Sequence, residues 1–288
     1  MTVDVTPAFF HSNQRSDIKT AVLIPCYNEE LTIKDVVKDF KNILPNAQIY
    51  VYDNNSSDQT ITNAEAAGAI VRTEPRQGKG NVIRRMFADI EADFYLLVDG
   101  DATYDASAAP DMLTLAQKQR LDMVNGVRVT DRQAAYRYGH VMGNKVLTGL
   151  VRFIFGNGSK DILSGYRVFS KRFVKSFPAL SSGFEIETEF TVHALKLSMP
   201  IGEIETTYIE RPQGSASKLN TYQDGIRILL TILNLLRRER PLLFFSVLAV
   251  VLSATGFILG LPVVHEFMHS GTVPRLPTAV LAMGLEIL

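Results

Sequence analysis

The chain has 288 residues, with 30 Lys and Arg against 30 Asp and Glu, so its formal net charge is zero. That balance argues against a nucleic-acid binder, which needs a basic patch or stripe. Its single cysteine, Cys26, excludes an internal disulfide and fits a reducing compartment. Cys26 stands at a predicted strand end and reads as a buried, inert thiol. The histidines, His11, His140, His193, His265 and His269, show no zinc-ligand spacing.

Residues 1–17 are polar and are expected to be loosely held, and Met1 to Thr20 lacks the apolar core of a signal peptide. Lys19 to Pro25 is a strand of buried type, ending in Pro25-Cys26-Tyr27-Asn28-Glu29-Glu30. Ile33, Val36, Val37, Phe40 and Leu44 recur at helical spacing until Pro45. A second strand, Gln48 to Tyr52, ends at Asp53-Asn54-Asn55-Ser56-Ser57-Asp58, and the helix after it stops near Gly68. Ala69 to Thr73 is a third strand, leading to Gln77-Gly78-Lys79-Gly80 and a helix over Val82 to Ile90. Asp93 to Val98 is a fourth, stopping at Asp99-Gly100-Asp101. Strands alternating with helices at this spacing imply an α/β fold with a mostly parallel, Rossmann-like sheet. Each strand runs into a polar or Gly-containing loop, so the loops converge on the carboxyl edge of the sheet, where ligands bind.

Asp99 and Asp101, one residue apart at that edge, form a pair able to share a hard cation, Mg²⁺ or Mn²⁺, against phosphate; as bare sequence, Asp-Gly-Asp is equally a solvated turn. No G-x-G-x-x-G follows the first strand, and Gly78-Lys79-Gly80 lacks the upstream Gly and following Ser/Thr of a P-loop. Lys79 still sits at a helix start, where a cation and backbone N–H groups suit an anion.

A helix over Ala108 to Arg120 and a strand over Met123 to Val127 follow, ending at Arg128. Ala134 to Phe155 is helical and apolar on one face, with Arg137, Lys145 and Arg152 along it; it packs on the sheet or lies at a membrane interface. Asp161 precedes Ser164-Gly165-Tyr166-Arg167, and Glu185, Glu187 and Glu189 open the next helix, where acids also suit the helix dipole. Ile201 to Ile209 is a further strand. It feeds a Ser/Gly-rich loop, Glu210 to Leu219, whose Arg211 and Lys218 suit a diphosphate-gripping lid or, alternatively, a solvated linker.

Asn220 to Arg240 reads as an amphipathic helix lying along a membrane surface. Pro241 to Val264 carries no charge and exceeds the ~20 apolar residues needed to span a bilayer. Arg237, Arg238 and Arg240 precede it, which places everything before residue 241 in the cytoplasm. Residues 265–288 are then an extracytoplasmic loop and, from Thr278, an apolar run too short to cross; we expect it to open a truncated second span. The predicted organisation is thus 1–17, a catalytic domain over 18–219, a juxtamembrane helix over 220–240, a span over 241–264, and 265–288.

Together these pieces resemble the family 2 glycosyltransferases of GT-A fold, and more narrowly the polyprenyl-phosphate hexosyltransferases. The resemblance covers roughly Thr20 to Leu288. It rests on Ile24-Pro25-Cys26-Tyr27-Asn28-Glu29-Glu30, the Asp53 to Asp58 run, Gly78-Lys79-Gly80, Asp99-Gly100-Asp101, Ser164-Gly165-Tyr166-Arg167 and Arg211 to Lys218, in that order before a membrane anchor. It implies that Pro25, Tyr27, Glu29 and Asp53 hold the nucleotide's base and ribose, with Lys79 also on the nucleotide. Asp99 and Asp101 would hold Mg²⁺ or Mn²⁺ against the diphosphate, Arg211 and Lys218 would grip it, and Arg128 and Lys145 would take the acceptor's phosphate. Asp161 and Glu187 are further catalytic candidates, with Glu185 and Glu189 as competitors for the latter role. Asn54, where the family more often has a second Asp, bears on base choice. The implied reaction moves a hexose from UDP-glucose or GDP-mannose to a polyprenyl phosphate with inversion, and is compatible with assembly into a homo-oligomer. The rivals are a transferase with a saccharide acceptor, which usually carries a Trp-containing motif whereas this chain has no Trp; a nucleotidyltransferase; and a non-catalytic nucleotide-binding membrane protein.

Overall fold

A computed structural model describes residues 18–129, 138–156, 158–212, 214, 218 and 221–287. The N-terminal segment 1–17, the predicted helix start at 134–137 with Arg137, and Gln213, 215–217 and 219–220 of the Ser/Gly-rich loop lie outside these residues. The chain divides after Gly225 into two compact units.

The first unit alternates strands and helices. In order they are β1 (Thr20–Cys26), α1 (Ile33–Ile43), β2 (Gln48–Asp53), α2 (Thr60–Ala66), β3 (Ile70–Thr73), α3 (Lys79–Asp89), β4 (Phe94–Leu97), α4 (Ala109–Gln119), β5 (Met123–Val129), α5 (Tyr138–Phe155), β6 (Arg167–Ser170), α6 (Lys171–Ser176), α7 (Ile186–Lys196) and β7 (Ile201–Thr207). The strands form a seven-stranded sheet in the order β3-β2-β1-β4-β6-β5-β7. All neighbouring pairs run parallel except those of β6, which is antiparallel to both β4 and β5. The mostly parallel α/β sheet expected from the sequence is therefore the observed fold class.

Strand side chains alternate between faces, and each face is buried by a different set of helices. Val22, Ile24 and Val51 pack with Ile33, Val37 and Phe40 of α1 and Met112 and Ala116 of α4. Ala21, Leu23, Tyr95 and Leu97 pack with Ile83 and Met86 of α3, Phe173 of α6, and Ile186 and Phe190 of α7. On that second face Phe87, Phe169, Phe173, Phe177 and Phe190 meet edge-on, tilted or stacked, at centroid distances of 4.5 to 6.2 Å. The four-residue β6 has no sequence alternation long enough to announce it. Its strand geometry comes from the two partners that hold it, Leu96 and Val124 both pairing with Val168.

The chain continues through α8 (Thr221–Glu239), α9 (Pro241–Ser270) and α10 (Leu276–Ile287). The second unit begins at Ile226. Among the described residues, α9 is the one helix long and apolar enough to cross a membrane. It runs past the predicted limit at Val264, because nothing between His265 and Ser270 breaks a helix. It stops where Gly271 adopts φ 69°, the left-handed cap that glycine supplies.

Candidate active site

The site assembles at the carboxyl ends of β1, β2 and β4, where the parallel strands deliver their loops. Just past β4, Asp99 accepts a 2.5 Å bond from Lys79 Nζ through Oδ1, and the same ammonium reaches Glu187 Oε1 at 2.6 Å. Lys79 opens α3 and Glu187 lies in the first turn of α7, so three elements meet at one cation. Burial works against the Lys79 charge, but the two carboxylates outweigh it and hold the ammonium well above lysine's ordinary value. For Glu187, burial prevails and raises its pKa against the pull of Lys79. Gly165 packs directly on the Asp99 carboxylate, and a Cβ there would collide with it.

Asp101 is buried and faces differently. Its Oδ1 accepts from Thr103 Oγ1 at 2.6 Å and Thr103 N at 3.2 Å, while its Oδ2 pairs with Arg211 Nη2. Burial and the neighbouring Asp99 raise the Asp101 pKa, with Arg211 opposing. Gly100 O accepts a 2.7 Å bond from Thr32 Oγ1, which ties this turn to the start of α1. Arg211 Nη1 lies 3.9 Å from Glu29 Oε1, and Lys218 Nζ bonds both Glu29 Oε1, at 2.6 Å, and Asn28 O, at 2.7 Å. Burial raises the pKa of Glu29, partly offset by Lys218. Arg211 and Lys218, expected in a lid, thus both reach acids at the strand ends.

Asp53 is buried at the end of β2. Its Oδ2 accepts from Ser56 N at 3.0 Å, and among the described residues its buried Oδ1 has no hydrogen-bond partner. Pro25 is half-buried within β1, and Tyr27 is exposed beyond it. Asn54 is buried at the end of β2. It bonds the backbone between β3 and α3.

A second acidic centre surrounds Asp161. Arg128 of β5 grips it bidentately, Nε to Oδ2 at 2.7 Å and Nη2 to Oδ1 at 2.8 Å, and Asn144 of α5 donates to Oδ1 at 2.9 Å. Lys145, one residue on from Asn144, is exposed. Of the three competing acids, Glu187 alone reaches Lys79. Glu185 accepts from Gly183 N, and Glu189 from Leu180 N and Ser181 N, so both order the segment before α7.

The sequence reading assigned no role to Thr103, Asn144 or the Arg167 side chain. Thr103 was within reach of it, since a carboxylate two residues before a Thr builds a local turn. Asn144 had no local signal. Arg167 is wholly buried and donates to Ile162 O at 2.7 Å, Ser164 O at 3.0 Å and Thr191 Oγ1 at 3.0 Å, bracing the loop that carries Gly165. Burial lowers its guanidinium to about 10, with Glu187 and Asp161 acting the other way.

Among the described residues no three His, Cys, Asp or Glu side chains form a metal cluster. Asp99 and Asp101 still offer hard oxygen donors of the kind Mg²⁺ and Mn²⁺ take. They would make a partial set that phosphate oxygens complete.

A mostly parallel α/β sheet with carboxylates and cations converging at its carboxyl edge has the architecture of an α/β ligand-binding domain, whose ligands bind at that edge. The chain belongs to glycosyl transferase family 2, whose model matches residues 21–177, and is a glycosyltransferase. Glycosyltransferase AglJ of Haloferax volcanii is 36% identical over 249 residues, 86% of this chain and 82% of that protein. A dolichyl-phosphate hexose transferase of the same organism is 24% identical, over 76% of this chain and 95% of its own length. In fold, the chain is similar to glucosyl-3-phosphoglycerate synthase of Mycobacterium tuberculosis, solved with Mn²⁺, UDP-glucose and phosphoglyceric acid. The TM-score is 0.60 at 20% identity, covering 76% of this chain and 80% of that one.

Proposed function

We propose that the protein is a membrane-anchored, inverting transferase that moves a hexose from a nucleoside-diphosphate sugar to a polyprenyl phosphate. The observation that carries this reading is the pairing of Asp101 with Arg211 beside the Lys79–Asp99–Glu187 bridge, in a family 2 chain that continues into α9. A glycosyl–phosphate bond breaks with negative charge growing on the departing nucleoside diphosphate. Cations held where that charge develops lower the barrier. Arg211 and Lys218 supply such charge, and both come from the segment after β7. Asp99 and Asp101 would hold Mg²⁺ or Mn²⁺, which when bound neutralises the diphosphate as a Lewis acid. The likeness to a dolichyl-phosphate hexose transferase supports a lipid phosphate as acceptor.

Asp53, with its unpartnered buried oxygen, together with Pro25, Tyr27 and Glu29, is assigned to the base and ribose. Arg128 and Lys145 are assigned to the acceptor phosphate. Asp161 joins them, binding Arg128 directly and Asn144, the neighbour of Lys145. A lipid phosphate is already anionic near neutral pH and needs positioning more than a strong base. Asp161 and Glu187 therefore rank below the Asp99–Asp101 pair in expected effect. We take UDP-glucose as the first donor and GDP-mannose as the second. The arginines before α9 support a cytoplasmic catalytic domain.

Membranes containing the protein, incubated with radiolabelled UDP-glucose or GDP-mannose, should place label in the solvent-extractable lipid fraction. Asp101→Ala should lose that transfer while remaining folded. Label confined to polysaccharide would favour a saccharide acceptor, and full activity in Asp101→Ala would sink the metal assignment.

A further inference from the structure

Asn54 is 3% exposed at the end of β2, and its amide is used at both ends. Nδ2 donates to Glu74 O and Arg76 O, each at 2.8 Å, and Oδ1 accepts from Gly78 N at 2.7 Å. Its own backbone N–H donates to Cys26 O at 2.9 Å, which locks it to the end of β1. All three side-chain bonds therefore fall on the backbone that leads from β3 into α3. The far side of that segment is also held. Gly80 N donates to Ser182 O at 2.9 Å, and a Cβ on Gly78 or Gly80 would strike Ser182 O or Ser181 O. Gly78 has φ 127°, a conformation other residues rarely adopt. The turn is thus clamped between Asn54 and the segment that precedes α7. The next residue is Lys79, whose Nζ bridges Asp99 and Glu187.

We propose that Asn54 is a positioning residue that sets Lys79 between Asp99 and Glu187 by pinning the backbone of the preceding turn. Two donated bonds and one accepted bond require an amide. An Asp at position 54 would face two carbonyl oxygens with no proton to give them, leaving buried acceptors opposed. The Asn in this chain therefore answers to the turn it holds.

The test uses the full chain in detergent micelles, with Asn54→Asp and, as the variant that places no charge against the carbonyls, Asn54→Ser. Amine labelling with N-hydroxysuccinimidyl acetate, read by mass spectrometry, reports on Lys79, which is shielded by its two carboxylate partners. The exposed Lys34 and Lys118 serve as internal references. In a folded variant we expect Lys79 to label at least tenfold faster than in the wild-type chain, with Lys34 and Lys118 unchanged. Equal protection of Lys79 in either folded variant overturns the proposal. So does loss of cooperative unfolding in both, which would make Asn54 a general folding residue.

A second arm rests on the transfer reaction proposed above. Turnover in Asn54→Ser/Lys79→Gln should match that of Lys79→Gln within threefold, because both changes act on the same ammonium. Multiplying losses would overturn it. If the wild-type chain transfers no sugar, the functional reading fails while the labelling arm still decides the role of Asn54.

Discussion

Asp161 is among the most constrained carboxylates of the site. Burial raises its pKa, but the bidentate Arg128 guanidinium and Asn144 outweigh that and hold it below the usual carboxylate range. Its folded pKa is lowered, so its contribution to stability is present above the unfolded value of about 3.9 and is lost as pH falls through the folded one. The urea midpoint of the wild-type chain should therefore fall more steeply below about pH 4 than that of Asp161→Asn. Arg128→Met should cost about 3–5 kcal/mol, because it strands a buried charge. Arg128→Met/Asp161→Asn should recover most of that loss, as measured by the same urea titration. Equal costs for the single and double variants would show that the guanidinium matters for packing alone.

Between elements, the clearest small-residue contact is that of α9 with α10. A Cβ at Gly256 would lie 3.1 Å from Ala282 O, one at Gly260 would lie 3.5 Å from Ala282 Cβ, and Ser253 Oγ donates to Glu286 Oε2 at 2.8 Å. Small residues let helices approach closely where lipid removes the hydrophobic drive between them. Gly256→Leu should force α10 off α9. A Gly260→Cys/Ala282→Cys pair should then form its disulfide at least fivefold more slowly than without the leucine, as read by gel shift. Unchanged cross-linking would mean that α10 is held elsewhere. Helix limits were legible to within a few residues where caps or prolines mark them, as at Pro45 for α1. β6 was not, because its four residues become a strand only between β4 and β5.

At the scale of the whole molecule, α9 is 30 residues long, about 45 Å at ~1.5 Å per residue, against a hydrocarbon core of ~30 Å. Removal of residues 241–288 should release the protein from membranes into the supernatant of an ultracentrifuge run. Continued pelleting would make α8, amphipathic in sequence, the principal anchor. The sequence by itself determined the α/β alternation, the Asp99-Gly100-Asp101 turn at a strand end and the apolar length of α9. Each is written in consecutive residues, through side-chain period, turn chemistry or hydropathy. Only the tertiary structure decided which charges meet. Lys79 joins Asp99 and Glu187 across 20 and 108 residues of sequence. Arg128 and Asn144 converge on Asp161, and Glu189 is taken up by the backbone of Leu180 and Ser181. Such pairings are set by sheet order and loop path, and a buried charge accepts whichever partner the fold delivers within hydrogen-bond reach.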